Sequence, residues 1–299
     1  MSYFRSVLLV FAASCSYGVL STFVKFAYAE GFGPGDVSGS QMFLGMLIMW
    51  GIALTVGKFQ LSAKQWGLLV VAGTTSGLTG LFYYRALQYI PASLAIILLF
   101  QFTWMGVLIE LIIEKRKLGV SRLVALVFLF GGTVLASGIV EEGLQKLSLA
   151  GTVLGLLSAV MYALFIIASG KAAPEVNPYW RAAIMLIGSV AITFAISPPH
   201  FLVNGALADG LWRWGILLAL FGAIIPPLFF AIGVPRIGSG LASILGAAEL
   251  PTAVLMSRFV LGEHVGGLQW IGVIVILAGI IVPEWLAVRR TKETSRTAS

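Results

Sequence analysis

Long apolar segments fill almost the whole chain, and short polar connectors separate them. A membrane-spanning helix needs about 20 apolar residues, because each residue advances the helix by about 1.5 Å. The sequence therefore predicts ten helices, near 4–28, 38–57, 66–88, 92–113, 121–140, 149–170, 179–197, 211–233, 238–261 and 266–287. Since the connectors are short, consecutive helices are expected to be antiparallel neighbours.

The second five segments resemble the first five. Residues 82–95 align with residues 229–242 at an offset of 147, and the same offset pairs Gly132 with Gly279 without a gap. A constant register over about 50 residues indicates an internal repeat. Each repeat contains an odd number of helices, so the second copy enters the membrane upside down. Inverted repeats are typical of carriers whose substrate site lies between the halves.

The predicted fold is therefore an all-α integral membrane protein whose ten transmembrane helices form two inverted five-helix repeats. We place the first repeat at 1–145, the second at 146–288, and a disordered cytoplasmic tail at 289–299. The tail is short, polar and charged, which is typical of disordered segments.

Composition supports a membrane protein and excludes several other classes. The chain has 299 residues, of which 59% are hydrophobic and 10% are charged, whereas soluble domains have roughly 25% charged residues. The single Cys15 excludes a disulfide framework or a cysteine metal site. We expect no metal, no cofactor and no catalytic residues, because the chain has two separated histidines and no Gly-rich phosphate loop.

Lys and Arg residues are distributed unequally between the two ends of the predicted helices. If the N-terminus is cytoplasmic, that side carries fourteen of them and the other side carries two, Lys146 and Arg213. The fourteen are Arg5, Lys58, Lys64, Lys115, Arg116, Lys117, Arg122, Lys171, Arg181, Arg236, Arg289, Arg290, Lys292 and Arg296. Cytoplasmic loops carry an excess of basic residues. We therefore expect a multi-pass protein of the cell inner membrane with both termini in the cytoplasm, and we read the net charge of +7 as topology rather than nucleic-acid binding.

Several motifs resemble one transporter family. Gly262-Glu263-His264 follows Glu249-Leu250-Pro251 across an apolar run. This is similar to the fourth helix of EamA-type repeats in the drug/metabolite transporter superfamily, where a mid-helix proline precedes a terminal Gly-Glu-Arg. Residues 84–89 also resemble that family's Tyr-x-Ala-Leu-x-Tyr.

The resemblance covers roughly residues 5–287 and implies a ten-helix carrier, nearest in length to bacterial exporters of amino acids and other metabolites. The chain departs from the family pattern at three places. No proline occurs near Trp104, Lys115-Arg116-Lys117 replaces Gly-Glu-Arg, and Gln41 stands where many members carry an arginine.

Two cations near the ends of predicted helices are candidate anion-binding groups. Lys25 shares one face of the first helix with Ser21, because three- and four-residue steps return to the same face. It can bind a substrate anion or extend to the membrane interface. Arg85, beside Tyr84 in the third helix, can hold a carboxylate with two hydrogen bonds or form a structural ion pair.

Glu249 is the strongest single candidate, because it lies in mid-helix two residues before Pro251. A charge at this depth costs roughly 2.5–3.5 kcal/mol on insertion scales, so intramembrane charges usually mark functional sites. The proline also frees backbone carbonyls that need other partners. A carboxylate there predicts recognition of an amine, a cation or a proton, with structural pairing to an arginine as the alternative.

Other polar and aromatic residues are weaker candidates for a cavity lining. Gln101 and Trp104 in the fourth helix, with Ser158 and Tyr162 in the sixth, can line an amphipathic cavity or face lipid. Pro226 and Pro227 interrupt the eighth helix. Together with Pro251 they are candidate hinges, although a proline pair can equally produce a static kink.

These features favour a secondary transporter that exports or exchanges amino acids and related small amphipathic metabolites by alternating access. A nucleotide-sugar carrier and an organic-cation or drug carrier are the alternatives within the same superfamily. A membrane enzyme or a channel would need a titratable cluster or a symmetric pore, respectively. The expected partners are a small-molecule substrate and the lipid bilayer, without nucleic acid, and the chain is consistent with a monomer.

The predicted topology can be tested with two labels. A reporter fused after residue 290 should be cytoplasmic, and a tag within residues 141–147 should react only with reagents added outside the cell, because an odd number of spans separates them. Detection of both labels on the same side would contradict the ten-helix inverted repeat.

Overall fold

The computed structural model describes residues 2–57, 60–86, 89–90, 92–115, 119–136, 148–262 and 264–281. Over these residues the chain is helical, apart from short connectors. The first repeat contains α1 (Tyr3–Ala29), α2 (Pro34–Thr55), α3 (Ala63–Ala86), α4 (Ala92–Phe100), α5 (Phe102–Glu114) and α6 (Val120–Ala136).

The second repeat contains α7 (Leu149–Lys171), α8 (Pro178–Ile196), α9 (Trp212–Leu218), α10 (Ile225–Ile237), α11 (Ser239–Gly246) and α12 (Glu249–Phe259), followed by α13 (Gly267–Ile281). A π-helical turn, Leu207–Leu211, precedes α9, and a second one, Ala219–Ile224, joins α9 to α10. Together they form one span of 31 residues, Leu207–Ile237.

Within the described residues the helices form ten spans, which confirms the predicted fold. Seven of them are long and apolar enough to cross a membrane, and two more, Arg122–Ala136 and Gly267–Ile281, are shorter apolar helices. The tenth span is α3, with 24 residues. Here α4 with α5, α9 with α10, and α11 with α12 each count as one span.

The helix ends differ from the predicted ones by a few residues. The second helix begins at Pro34 rather than at residue 38, because a proline fits the first helical turn, where its missing N–H is not needed. The predicted helix ends at 140 and 287 and the predicted tail at 289–299 lie outside the described residues.

The repeat is visible as an identical interruption in both halves. The Gln101 N–H donates to the Leu98 carbonyl at 3.2 Å, and the Ala248 N–H donates to the Leu245 carbonyl at 3.1 Å. Both bonds span three residues, and the two pairs are separated by the same 147 positions that relate the sequences. The fourth and the ninth span are therefore interrupted at equivalent positions.

Helices α3 and α8 form a close contact between the two halves. An added Cβ at Gly73 would collide with the Met185 carbonyl, and one at Gly188 would collide with the Val70 carbonyl. The Ser189 hydroxyl donates to the Gly73 carbonyl at 2.8 Å. Small residues allow helix backbones to approach closely in membranes, where water supplies no hydrophobic driving force.

A second contact between the halves joins α2 to the span 207–237. An added Cβ at Gly45 would lie 2.5 Å from the Ala223 Cβ, and one at Gly215 would lie 3.2 Å from the Ser40 hydroxyl oxygen. Since α2 corresponds to α8 and α3 corresponds to the span 207–237, the two contacts are related by the repeat. Glycine supports both.

The close packing at Gly73 predicts a sharp difference between two glycines of α3. Gly73→Ala should lower the melting temperature in detergent, because overpacking costs about 1–3 kcal/mol. Gly67→Ala should leave it unchanged or raise it slightly, since an added Cβ at Gly67 has no neighbouring atom within 4 Å and alanine is the better helix former. Equal melting temperatures for the two variants would contradict this packing.

Candidate functional site

A cavity of about 360 Å³ lies between the two repeats. Its wall combines α1, α2, α3 and α4 of the first half with α7, α12 and the π-helical turn at 219–224 of the second half. The lining residues are Tyr17, Gly18, Leu20, Val24, Lys25, Tyr28, Gln41, Met42, Ser76, Thr79, Gly80, Tyr83, Tyr84, Ile96, Leu99, Tyr162, Phe165, Gly222, Glu249 and Ala253.

The deep part of the cavity contains a carboxylate among tyrosine rings. Tyr162 Oη donates to Glu249 Oε2 at 3.4 Å, and the Tyr17 and Tyr162 rings meet edge to face with centroids 5.7 Å apart. Glu249 makes no ion pair with any cation of the described residues. The carboxylate is therefore held by a neutral group and is available to a cationic group that enters the cavity.

Gly18 sets the position of Glu249 relative to α1. An added Cβ at Gly18 would collide with the Glu249 carbonyl oxygen and would lie 2.6 Å from the Thr252 Cβ. Glycine thus lets α1 approach the first turn of α12 directly. This close approach brings the Glu249 carboxylate into the same cavity as residues near the C-terminal end of α1.

Lys25 lies on α1 seven residues beyond Gly18, which corresponds to about 10 Å along the helix axis. Its side chain is exposed and also lines the cavity. We call this part of the molecule the Lys25 end. Tyr28 and Tyr84 line the cavity with it. A single cavity therefore contains an ammonium near one end of the helices and a carboxylate near their middle.

Aromatic side chains close the end of the cavity that lies away from the Lys25 end, and we call this closed end the floor. The Phe102 ring lies 4.4 Å from the Tyr162 ring, and the Phe165 ring lies 5.8 Å from the Phe230 ring. Phe102 and Phe230 are fully buried, as is Val10 of α1. The cavity therefore extends from this floor towards the Lys25 end.

Four of the predicted site residues line the cavity: Lys25, Tyr84, Tyr162 and Glu249. The backbone of Ser21 lies on α1, but its side chain is outside the described part of the structure. The other four predicted residues do not line the cavity. They are Arg85, Gln101, Trp104 and Ser158.

Local hydrogen bonds explain why three of these four lie elsewhere. Gln101 donates to the Ile97 carbonyl at 2.8 Å and accepts from the Trp104 indole at 2.7 Å, while Trp104 is 37% exposed at the helix surface. Ser158 is buried and donates to the Gly155 carbonyl at 2.7 Å. Arg85 is exposed at the last turn of α3.

The three predicted hinge prolines all lie in the first turn of a helical segment. Pro226 and Pro227 begin α10 directly after a π-helical turn, and Pro251 is the third residue of α12. All three are buried. The interruptions are therefore real, and whether they move in transport stays a prediction.

Arg181 was expected among the loop cations, but it is buried with 1% of its surface exposed. Its Nη1 donates to the Ala231 carbonyl at 2.9 Å, and its Nη2 donates to the Ser169 carbonyl. The guanidinium thus joins α8 to α10 and to the end of α7. Its burial could not be predicted from its position three residues after Pro178, because the first turn of a helix usually faces water.

Six polar lining residues were not among the predicted site residues: Tyr17, Tyr28, Gln41, Ser76, Thr79 and Tyr83. Helical periodicity predicts that Tyr17 or Gly18 shares a face of α1 with Ser21 and Lys25, and both Tyr17 and Gly18 line the cavity. Gln41 could have been singled out more easily, because it stands where many EamA-type proteins carry an arginine.

The cavity between two inverted repeats, with one carboxylate and one ammonium in its wall, is the geometry expected of a carrier. The EamA-like transporter family matches this chain twice, over residues 4–138 and 149–283. The chain belongs to the EamA-like transporter family. It is therefore a multi-pass membrane protein, and the family points to a transporter rather than an enzyme.

Two relatives carry names of the same kind. An uncharacterized transporter of Archaeoglobus fulgidus is 31% identical over 134 residues, which cover 44% of this chain and 47% of that protein. The uncharacterized transporter YcbK of Bacillus subtilis is 23% identical over 280 residues, which cover 89% of this chain and 88% of that protein. The first match spans about half the length of its relative, and neither name specifies a substrate.

One solved crystal structure shares the fold. It superposes with a TM-score of 0.76 over 94% of this chain and 99% of its own, at 17% sequence identity. At this identity the likeness extends to the fold alone.

Proposed function

We propose that the protein exports or exchanges amino acids and related small amphipathic metabolites by alternating access. The observation that carries the proposal is the cavity between the halves, which contains one carboxylate, Glu249, and one ammonium, Lys25. This pair of opposite charges matches a zwitterion. A protein of the inner membrane with both termini in the cytoplasm is part of the same proposal.

Glu249 is suited to hold the amine of the substrate. Its hydrogen bond comes from the neutral Tyr162, and no cation of the described residues pairs with it, so its charge can pair with a substrate ammonium. A hydrogen bond between charged groups is roughly twice as strong as one between neutral groups, and it strengthens away from water.

Lys25 is suited to hold the carboxylate. It lies about 10 Å from Gly18 along α1, and Gly18 contacts the backbone of Glu249. A ligand that reaches both groups would therefore lie along the helix axes, with its amine deep in the cavity and its carboxylate towards the Lys25 end.

The size and chemistry of the rest of the cavity support a small amphipathic ligand. A volume of about 360 Å³ falls at the lower end of the usual range for small-molecule sites, and such sites are mostly apolar with a few placed polar groups. Tyrosine rings, together with Leu20, Ile96 and Leu99, provide apolar surface beside the charges.

The inverted repeat supports the proposal of alternating access. The closed floor at Phe102, Phe165 and Phe230 separates the cavity from one end of the molecule. Because the halves are related by an inverted repeat, exchanging their arrangements would open that end and close the Lys25 end. The interruptions at Gln101 and Ala248 are candidate positions for the bending that such a movement needs.

Glu249→Gln tests the amine site. The glutamine keeps the size of the side chain and removes the charge, so counterflow of labelled amino acids should be lost while the purified protein remains monodisperse. Glu175→Gln, at an exposed carboxylate outside the cavity, is the matched control and should transport normally. Unchanged counterflow in Glu249→Gln, with and without an imposed proton gradient, would assign Glu249 to structure.

Lys25→Ala tests the carboxylate site. It should weaken binding of an amino acid by at least about tenfold, equivalent to about 1.4 kcal/mol, but weaken binding of the decarboxylated amine much less, because only the amino acid loses an ion pair. Equal losses for both ligands would remove this assignment. Binding of nucleotide sugars or organic cations, but of no amino acid, would replace amino acids by those substrates.

A further inference from the structure

The side chain of Gln41 is buried in the cavity wall and has no hydrogen-bond partner among the described residues. It lies on α2, exposes 4% of its surface and lines the cavity. Within the described residues its amide makes no hydrogen bond, although neighbouring polar groups do, such as Ser40 with the Val37 carbonyl. A buried amide without a partner is costly, and this one lines the cavity, so a group that enters the cavity can supply the missing hydrogen bonds.

Gly222 makes room for this amide from the other half of the molecule. An added Cβ at Gly222 would collide with Gln41 Nε2 and would lie 3.0 Å from both Leu20 methyl carbons. Glycine at this position thus allows the amide to lie between α2 and the span 207–237. Gln41 and Gly222 meet at the wall of the cavity, with both residues lining it.

The carbonyl of Gly222 has also lost its helical donors. In a helix this oxygen would accept from Ile225, Pro226 or Pro227. The Ile225 N–H donates to the Leu220 carbonyl instead, and prolines have no N–H. The preceding Phe221 carbonyl, freed in the same way, accepts from Ser16 of α1 at 2.7 Å, whereas the described residues supply no such donor for Gly222.

The geometry points to a neutral polar subsite, formed by the Gln41 amide and the Gly222 carbonyl, that selects substrates carrying a carboxamide or a hydroxyl group. The amide offers two N–H donors and one acceptor, and the carbonyl offers another acceptor. Only a group that both donates and accepts can satisfy this set. Neither residue is charged, so the subsite provides no counterion for a charged side chain.

This inference rests on the proposed function for the two charged ends of the substrate, which Glu249 and Lys25 would hold. It narrows the substrate to amino acids with a neutral polar side chain. A site that hydrogen-bonds a substrate group discriminates strongly against the analogue that lacks it, because the polar groups of the site are then left unpaired.

The test compares glutamine with norleucine, which has a side chain of similar length without the amide. In counterflow and in ligand-dependent melting, the wild-type protein should prefer glutamine by at least about tenfold, a difference expected when a hydrogen-bonding pair is lost. Gln41→Leu should reduce this preference to near unity. Gln65→Leu, at a half-buried glutamine outside the cavity that bonds Glu175, should keep it.

The melting temperature without ligand separates recognition from structure. Gln41→Leu should melt at a higher temperature than the wild type, because it removes a buried amide without a partner. A lower melting temperature would show that Gln41 supports the fold, and this would overturn the inference. Wild-type protein that binds glutamine and norleucine equally, or a Gln41→Leu variant that keeps the preference, would also overturn it.

The same screen distinguishes a failure of the proposed function from a failure of the neutral subsite. If no amino acid binds, but simple carboxamides or polyols stabilise the wild type and not Gln41→Leu, the neutral subsite stands and the amino-acid assignment falls. If neither class binds and Gln41→Leu melts lower, both are overturned.

Discussion

The lack of water in the hydrocarbon core of a bilayer is the constraint on which the rest of this structure depends. Inside a bilayer a backbone or side-chain polar group must find its partner within the protein. The buried Arg181 meets this demand with the carbonyls of Ser169 and Ala231, and Ser189 meets it with the carbonyl of Gly73. The demand is not met everywhere. Among the described residues, the Nε of Arg181 and the hydroxyl groups of Ser6, Thr22, Ser169, Thr193 and Ser239 are buried without a hydrogen-bond partner, and none of these residues lines the cavity. A missing partner therefore points to a ligand only where the group also lines the cavity, as Gln41 does.

The same constraint explains how much could be predicted from the sequence. Ten apolar segments and a constant offset of 147 are enough for the fold, since each span must be a helix and the repeat fixes the pairing of the halves. The interruptions at Gln101 and Ala248 were not predicted, but the structure places them at the same offset. Glu249 was recognisable because a carboxylate in mid-membrane is costly and rare.

The lining of the cavity was harder to predict, because it depends on which way each side chain turns. Trp104 and Gln101 had suitable chemistry, but they bond to each other and lie away from the cavity. Tyr17 and Gln41 face the cavity, and their types alone did not separate them from interfacial aromatics and other polar helix residues. Arg181 shows the converse, since a cation counted with the loops is fully buried.

The repeat is symmetric in its backbone but not in its chemistry. At the offset of 147, Glu249 corresponds to Phe102, which is fully buried and packs against Tyr162. One half thus supplies the deep carboxylate, and the other supplies an aromatic ring at the equivalent place. Likewise, α3 is a continuous α-helix, whereas the corresponding span 207–237 contains two π-helical turns and the Pro226-Pro227 pair.

That second asymmetry has a direct chemical consequence. Two adjacent prolines remove two backbone donors, and the π-helical turn shifts a third, so the carbonyls of Phe221 and Gly222 leave the helical ladder together. The Ser16 hydroxyl of the other half donates a hydrogen bond to the Phe221 carbonyl. A movement of the halves that changed this contact would have to supply the Phe221 carbonyl with another donor. The Ser16 hydrogen bond therefore links the position of α1, which also carries Lys25, to the backbone geometry of the wall that faces Gln41.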